Sequence, residues 1–213
     1  MPFRNRSQAG CALGERLRTL ENDRLVVLAL ARGGVVVGAE VARILGAPLD
    51  VVVVRKLRSP DAPELALGAI AEDGTQILRA TLLEGAGLAP DGLEELLSTQ
   101  RADLQRELQR YRAVRPAEPV WGRPVVLVDD GLTTGASVAA AAQVASGRGA
   151  AQITVAIPVS SREAEGSLPH EVDAHVCLET PPLILALDEW YEEFPEVSED
   201  TVISLLADAL GRP

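Results

Sequence analysis

The sequence predicts an α/β chain built on a central, mainly parallel sheet flanked by helices. Three observations carry this reading. Short continuous apolar runs, Leu25-Val26-Val27-Leu28-Ala29-Leu30, Val51-Val52-Val53-Val54 and Val125-Val126-Leu127-Val128, match strands buried on both faces. The first and third run directly into glycine-containing turns and then into helical patterns. The interval 25–54 reads as strand, helix, strand, a unit whose two strands must be parallel.

Residues 3–20 carry apolar positions at mixed helical spacing and predict an N-terminal helix, weakened by Gly10 and Gly14. Strand 25–30 leads through Ala31-Arg32-Gly33-Gly34 into a helix over 35–45, closed by Gly46. Strand 50–54 ends in Arg55-Lys56. Two prolines, Ser59 and Asp61 make 57–63 a loop. Residues 64–74 read as a short strand and turn, and 75–80 pair back as a hairpin.

Residues 91–112 predict a long charged helix with Leu93, Leu96, Leu97, Leu104 and Leu108 as its apolar stripe. Glu94, Arg101, Arg106 and Glu107 read as its solvated face. Pro116 and Pro119 end it ahead of strand 125–128. A helix over 138–144, a strand over 153–159 and an alternating or edge strand over 172–178 follow. Pro181-Pro182 open an irregular segment holding Trp190, Tyr191 and Phe194, half of the six aromatic residues. Ser198-Glu199-Asp200-Thr201 caps a final helix over 202–210.

At 213 residues the chain suits one domain rather than two. A formal net charge of −11 disfavours nucleic acid or an anionic membrane as partner. The apolar runs are too short to span a bilayer, and residues 1–10 do not form a signal peptide. Cys11 and Cys177 lack metal-site spacing and fit a reducing cytoplasm. His170 and His175 read as loop or strand-end residues. Of the 20 Lys and Arg residues, Lys56 is the single lysine.

The stretch from Pro124 to Ser137 carries the chemistry. Four apolar residues end in Asp129 and Asp130, and Gly131, Leu132, Thr133, Thr134, Gly135, Ala136 and Ser137 lead into the next helix. Gly131 and Gly135 let the backbone curl and approach a ligand. Thr133, Thr134 and Ser137 offer hydroxyls, and the helix start offers free amides and a positive partial charge, the makings of an anion site. From Asp130 to Thr134 the chain reaches at most about 13 Å, so acids and loop can hold one small molecule. A sugar phosphate fits, its hydroxyls on the carboxylates and its phosphate in the loop. No lysine follows Gly135, which excludes the GxxxxGK[ST] nucleotide loop, and no GxGxxG opens a helix after a strand.

This strand, acid pair and loop resemble the phosphoribosyl-pyrophosphate (PRPP) signature of the type I phosphoribosyltransferases. Arg32-Gly33-Gly34 resembles that family's pyrophosphate loop, in which the peptide before the glycine is typically cis or strained. The 54–74 stretch, reading xRKxxxPxxPExAxGAIAEDG, is similar to a group of bacterial predicted phosphoribosyltransferases of unknown acceptor. The resemblance implies a single domain over 1–213 with a core at about 20–180. It also implies a β-hairpin flexible loop, a helical insertion at 91–112, and a small hood from 181–200 plus N-terminal residues.

By function, it implies transfer of ribose 5-phosphate from PRPP to a nitrogenous acceptor, such as a nucleobase in nucleoside salvage, with release of pyrophosphate. The amides and hydroxyls of residues 133–137 fall to the 5-phosphate, and Asp129 with Asp130 to the ribose hydroxyls. Arg32, Gly33 and Lys56, flanked by Gly34 and Arg55, fall to pyrophosphate and Mg²⁺. The metal is expected mostly on ligand oxygens and water, with Asp129 and Asp130 as the nearest protein carboxylates. Trp190 and Tyr191 are candidates to stack on an acceptor in the hood, or else pack the C-terminal tail onto the core. The 6-oxopurine enzymes usually place an aspartate where this chain has Thr133, which argues against hypoxanthine or guanine as acceptor. A non-catalytic PRPP or nucleotide sensor of the same fold is the alternative, and a homodimer is compatible with either.

Overall fold

The computed structural model describes residues 3–20, 24–62, 65–87 and 89–210. The expected loop end at Pro63 and hairpin start at Glu64 lie outside these. Helix α1 (Arg6–Leu17) is followed by β1 (Val26–Leu30), α2 (Gly33–Leu45), β2 (Leu49–Val52), β3 (Val54–Arg58), β4 (Ala66–Ala71) and β5 (Gln76–Leu78). Helices α3 (Ala80–Gly85) and α4 (Pro90–Val114) lead to β6 (Pro124–Val128), α5 (Ala136–Gly147), β7 (Gln152–Val159), α6 (Arg162–Gly166), β8 (Ala174–Glu179) and α7 (Glu199–Leu210).

Five strands form a parallel sheet in the order β2-β1-β6-β7-β8. Its apolar runs are continuous because helices cover both faces. Val27 and Ala29 pack with Leu13, Val37 and Val41 on the side of α1, α2, α4 and α7. Val26, Leu28 and Leu30 point the other way, to Val138, Ala141 and Val144 of α5. The period-2 alternation of a strand thus divides the core in two.

Gly10 and Gly14 do not interrupt α1. They let it lie close on α2, where a Cβ at Gly10 would come within 2.6 Å of the Val37 carbonyl oxygen. Helix α2 begins at Gly33 rather than at 35, and Gly46 closes it in the left-handed conformation at φ 59°.

Residues 50–54 are not one strand. β2 ends at Val52, and the chain leaves the parallel sheet to pair antiparallel with β4. Glu72 fixes that departure: its carboxylate accepts from the Val53 amide at 2.8 Å, and its own amide donates to the Val53 carbonyl. Arg55 and Lys56 therefore lie inside β3, opposite Ile70 and Ala69, rather than beyond a strand end. The hairpin expected at 64–80 forms the rest of this three-stranded sheet, in the order β3-β4-β5. Residues 67–71 of β4 are buried, which ties the hairpin to the body and leaves Pro60 and Asp61 exposed.

Helix α4 runs 25 residues, with Pro90 in its first turn. Leu97 and Leu104 are buried as expected, and Glu94, Arg101 and Arg106 face solvent. Glu107 does not, being 5 % exposed. Arg112 fastens the far end of the helix to the fully buried Asp50 at 2.6 Å.

Segment 181–200 holds a 3₁₀ turn, Asp188–Trp190, and joins the N-terminus through Phe3. The Phe3 amide donates to Trp190 O at 2.7 Å, and Glu192 N returns a bond to Phe3 O at 2.8 Å. Ser198 caps α7 by accepting from Thr201 N at 3.1 Å.

Candidate functional site

The register of the parallel sheet builds the site. Ala29 pairs with Val128, so the turn after β1 and the loop after β6 leave the same edge side by side. This carboxyl edge is where ligands of open α/β sheets bind. The glycines of the first turn permit the close approach. A Cβ on Gly34 would lie 2.7 Å from Val128 O, and one on Gly33 only 1.9 Å from Asp130 Oδ2. The peptide bond between Ala31 and Arg32 is cis.

Past Asp130 the loop is anchored to β7: Leu132 N donates to Val159 O at 2.9 Å, and Ser161 N donates to Leu132 O at 3.3 Å. Leu132 and Ala136 are buried and shape the loop rather than present functional groups. Gly135, at φ 78°, turns the chain into α5. The amides of the first turn of α5 thus open beside Thr133, Thr134 and Ser137.

A cleft of about 340 Å³ lies at this edge, with Arg32, Gly33, Arg55, Lys56, Asp129, Asp130 and Ser137 in its walls. Lys56, Asp129 and Ser137 also line the recess that continues to Gly131, Thr133, Thr134 and Gly135. A larger cavity, about 490 Å³, opens beside Pro48 and Leu49 at the opposite end of the sheet and contains none of the candidates.

The two acids differ. Asp130 pairs with Arg6 Nε at 2.7 Å, a residue of α1 that carries no motif in the sequence. Arg6 also donates to Pro195 O at 2.7 Å and lies 3.6 Å over the Phe194 ring, so it belongs to the hood as well. Asp129 has no arginine partner among the described residues and accepts the Asp130 amide at 2.9 Å. Burial, then the neighbouring Asp130 charge, push its carboxyl well above the ordinary range, against the pull of Lys56.

The cations differ too. Arg32 is half-exposed, with Nε 4.0 Å from Glu107 and Nη2 3.7 Å from Glu196, so its donors stay available. Lys56 is exposed at the wall. Arg55 is committed to α4: it donates to Glu107 at 3.0 Å and lies 3.5 Å from Asp103.

Glu107 is the second site residue that no motif marks. It continues the buried stripe of Leu97, Leu104 and Tyr111 at helical spacing, which is the signal that separates it from the solvated residues around it. The structure does not bring Trp190 or Tyr191 into the cleft. Tyr191 is 5 % exposed, its ring lies against Phe3 and Phe194, and its hydroxyl donates to Asp130 O at 2.5 Å. That ring is a packing element with no open face for an acceptor. Trp190, half-buried, packs against the same cluster.

No helix among the described residues is long and apolar enough to cross a membrane. Residues 8–187 match the family model described as the phosphoribosyl transferase domain. The chain is 42 % identical over 204 residues to two Mycobacterium tuberculosis proteins, "Putative phosphoribosyl transferase Rv0571c" of strain H37Rv and "Putative phosphoribosyl transferase MT0597" of strain CDC 1551. The match covers 96 % of this chain and 46 % of each relative, so the chain spans about half their length. It is similar to the crystal structure of TT1426 from Thermus thermophilus, at 44 % identity and a TM-score of 0.79. That match covers 98 % of this chain and 99 % of the other.

Proposed function

Because the chain belongs to the phosphoribosyl transferase domain family, we propose that it transfers ribose 5-phosphate from PRPP to a nitrogenous acceptor and releases pyrophosphate. The observation that carries this reading is the meeting of three groups in one cleft. These are the Arg32-Gly33 turn, the Asp129–Asp130 pair and the recess beneath Thr133, Thr134 and Ser137.

In this reading the 5-phosphate takes the α5 amides and the loop hydroxyls. The ribose hydroxyls donate to Asp129, whose carboxylate is not engaged by arginine. Asp130, neutralised by Arg6, holds the floor of the cleft instead of binding sugar directly. Pyrophosphate lies toward Arg32 and Lys56. As the C1–O bond breaks, negative charge grows on the leaving pyrophosphate, and these fixed cations stabilise it where it forms.

Mg²⁺ fits as a metal carried by ligand oxygens and water, with Asp129 as the protein carboxylate free to join it. When bound it would neutralise the departing pyrophosphate. Substrate oxygens and water would supply most of the coordination. Thr133 in place of an aspartate turns the acceptor away from hypoxanthine and guanine.

Calorimetry of PRPP with and without Mg²⁺ tests this reading, beside an Asp129→Asn, Asp130→Asn double variant. Mg²⁺-dependent binding that the variant loses is expected. A screen of nitrogenous bases for pyrophosphate release then seeks the acceptor. Binding of nucleoside monophosphates in place of PRPP would mean a sensor, and silence toward both ligands would leave only the fold.

A further inference from the structure

Helix α4 contributes one wall of the cleft through Gln100 and Glu107, two turns apart on the same face. Glu107 is the more constrained. Its carboxylate is 5 % exposed, accepts the Tyr111 hydroxyl at 2.7 Å on one oxygen and Arg55 Nη2 at 3.0 Å on the other, and lies 4.0 Å from Arg32 Nε. Tyr111 is fully buried, and burial raises its hydroxyl far above the ordinary range, so it remains a donor. A carboxylate without such partners would be costly in this position.

We propose that Glu107 is a positioning residue that aims Arg32 at the pyrophosphate of PRPP and holds Arg55 in the cleft wall beside it, an inference that rests on the reading above. Arg32 stands between two carboxylates. Glu196 is 86 % exposed, so solvent screens it, whereas Glu107 is fixed by Tyr111 and Arg55. Arg55 depends on Glu107 more directly. Its Nε is buried without a partner, and its remaining acid, Asp103, is 3.5 Å away. Without Glu107 the Arg55 side chain loses its hydrogen-bonded anchor and Arg32 its fixed neighbour. The helix itself does not depend on this contact, since Leu97, Leu104 and the Arg112–Asp50 pair hold it elsewhere.

Two opposite effects can be separated. A negative charge beside an anion site repels the ligand, so Coulomb's law alone predicts that Glu107→Gln binds PRPP more tightly. A positioning role predicts the reverse, and only for ligands that carry the pyrophosphate. The experiment is calorimetry of PRPP and of ribose 5-phosphate, each with Mg²⁺, on wild type, Glu107→Gln and Tyr111→Phe, with the melting temperature of each protein recorded.

Glu107→Gln is expected to weaken PRPP binding about tenfold and leave ribose 5-phosphate unchanged. Tyr111→Phe, which frees the carboxylate without altering charge, is expected to shift PRPP in the same direction by less and serves if Glu107→Gln does not fold. Unchanged or tighter PRPP binding overturns the proposal, as does an equal loss for both ligands, which marks a merely structural role. A wild type that binds neither ligand overturns the proposed function itself.

Discussion

The Arg6 guanidinium meets the Asp130 carboxylate at 2.7 Å across 124 residues of sequence. The contact joins the first helix to the loop after β6, and through Pro195 O and the Phe194 ring it joins both to the hood. Asp130 is thereby neutralised in place, and Asp129 is left as the acid open to a ligand.

Arg6→Ala should cost about 3 kcal/mol in urea unfolding, because it leaves a mostly buried carboxylate without its partner. The double variant with Asp130→Asn should recover part of that loss, giving a clear coupling energy. Additive effects would mean that the pair contributes nothing as a pair.

Gly33→Ala places a methyl where Asp130 Oδ2 now stands, 1.9 Å from the ideal Cβ, and 3.0 Å from Arg6 Nε. The carboxylate must move. PRPP affinity should fall about tenfold or more, with a stability loss of about 1–3 kcal/mol. PRPP binding equal to wild type would show that the position of Asp130 is irrelevant to the ligand.

Asp129 is held above its ordinary value of 3.8, first by burial and then by Asp130. Between that value and the raised one the folded protein binds more protons than the unfolded chain, so stability falls as pH rises through the window and stays lower above it. Asp129→Asn should flatten that decline and raise the melting temperature at pH 7. A parallel pH profile in wild type and variant would contradict the raised carboxyl.

Tyr191→Phe keeps the ring between Phe3 and Phe194 but removes the donor to Asp130 O. A loss of about 1 kcal/mol is expected, and Tyr191→Ala should lose about 3–5 kcal/mol. Full stability in both variants would reopen the stacking role for this ring.

The buried strands of the parallel sheet and the loop at 129–137 were legible because both are local. A run such as Val125-Val126-Leu127-Val128 reports burial on two faces by itself. Glycines and hydroxyls at its end mark a tight loop that opens onto a helix N-terminus. The path of 50–58 was harder: five residues read as one strand, and only Glu72 pairing with Val53 reveals where the chain changes sheets.

What the sequence alone determined is the fold class, the two glycine-containing loops and their place at one sheet edge, since periodicity and turn chemistry are encoded by neighbours. Tertiary structure alone decided that Asp130 answers to Arg6, that Glu107 turns inward to Arg55, and that Tyr191 packs rather than stacks. The charge of a residue does not state its burial. By charge alone Glu107 reads like Glu94; only the stripe it shares with Leu97, Leu104 and Tyr111 sets it apart, and its partners Arg55 and Arg32 arrive from other elements of the chain. Such assignments follow from which surfaces meet, and that is settled by packing the whole core at once.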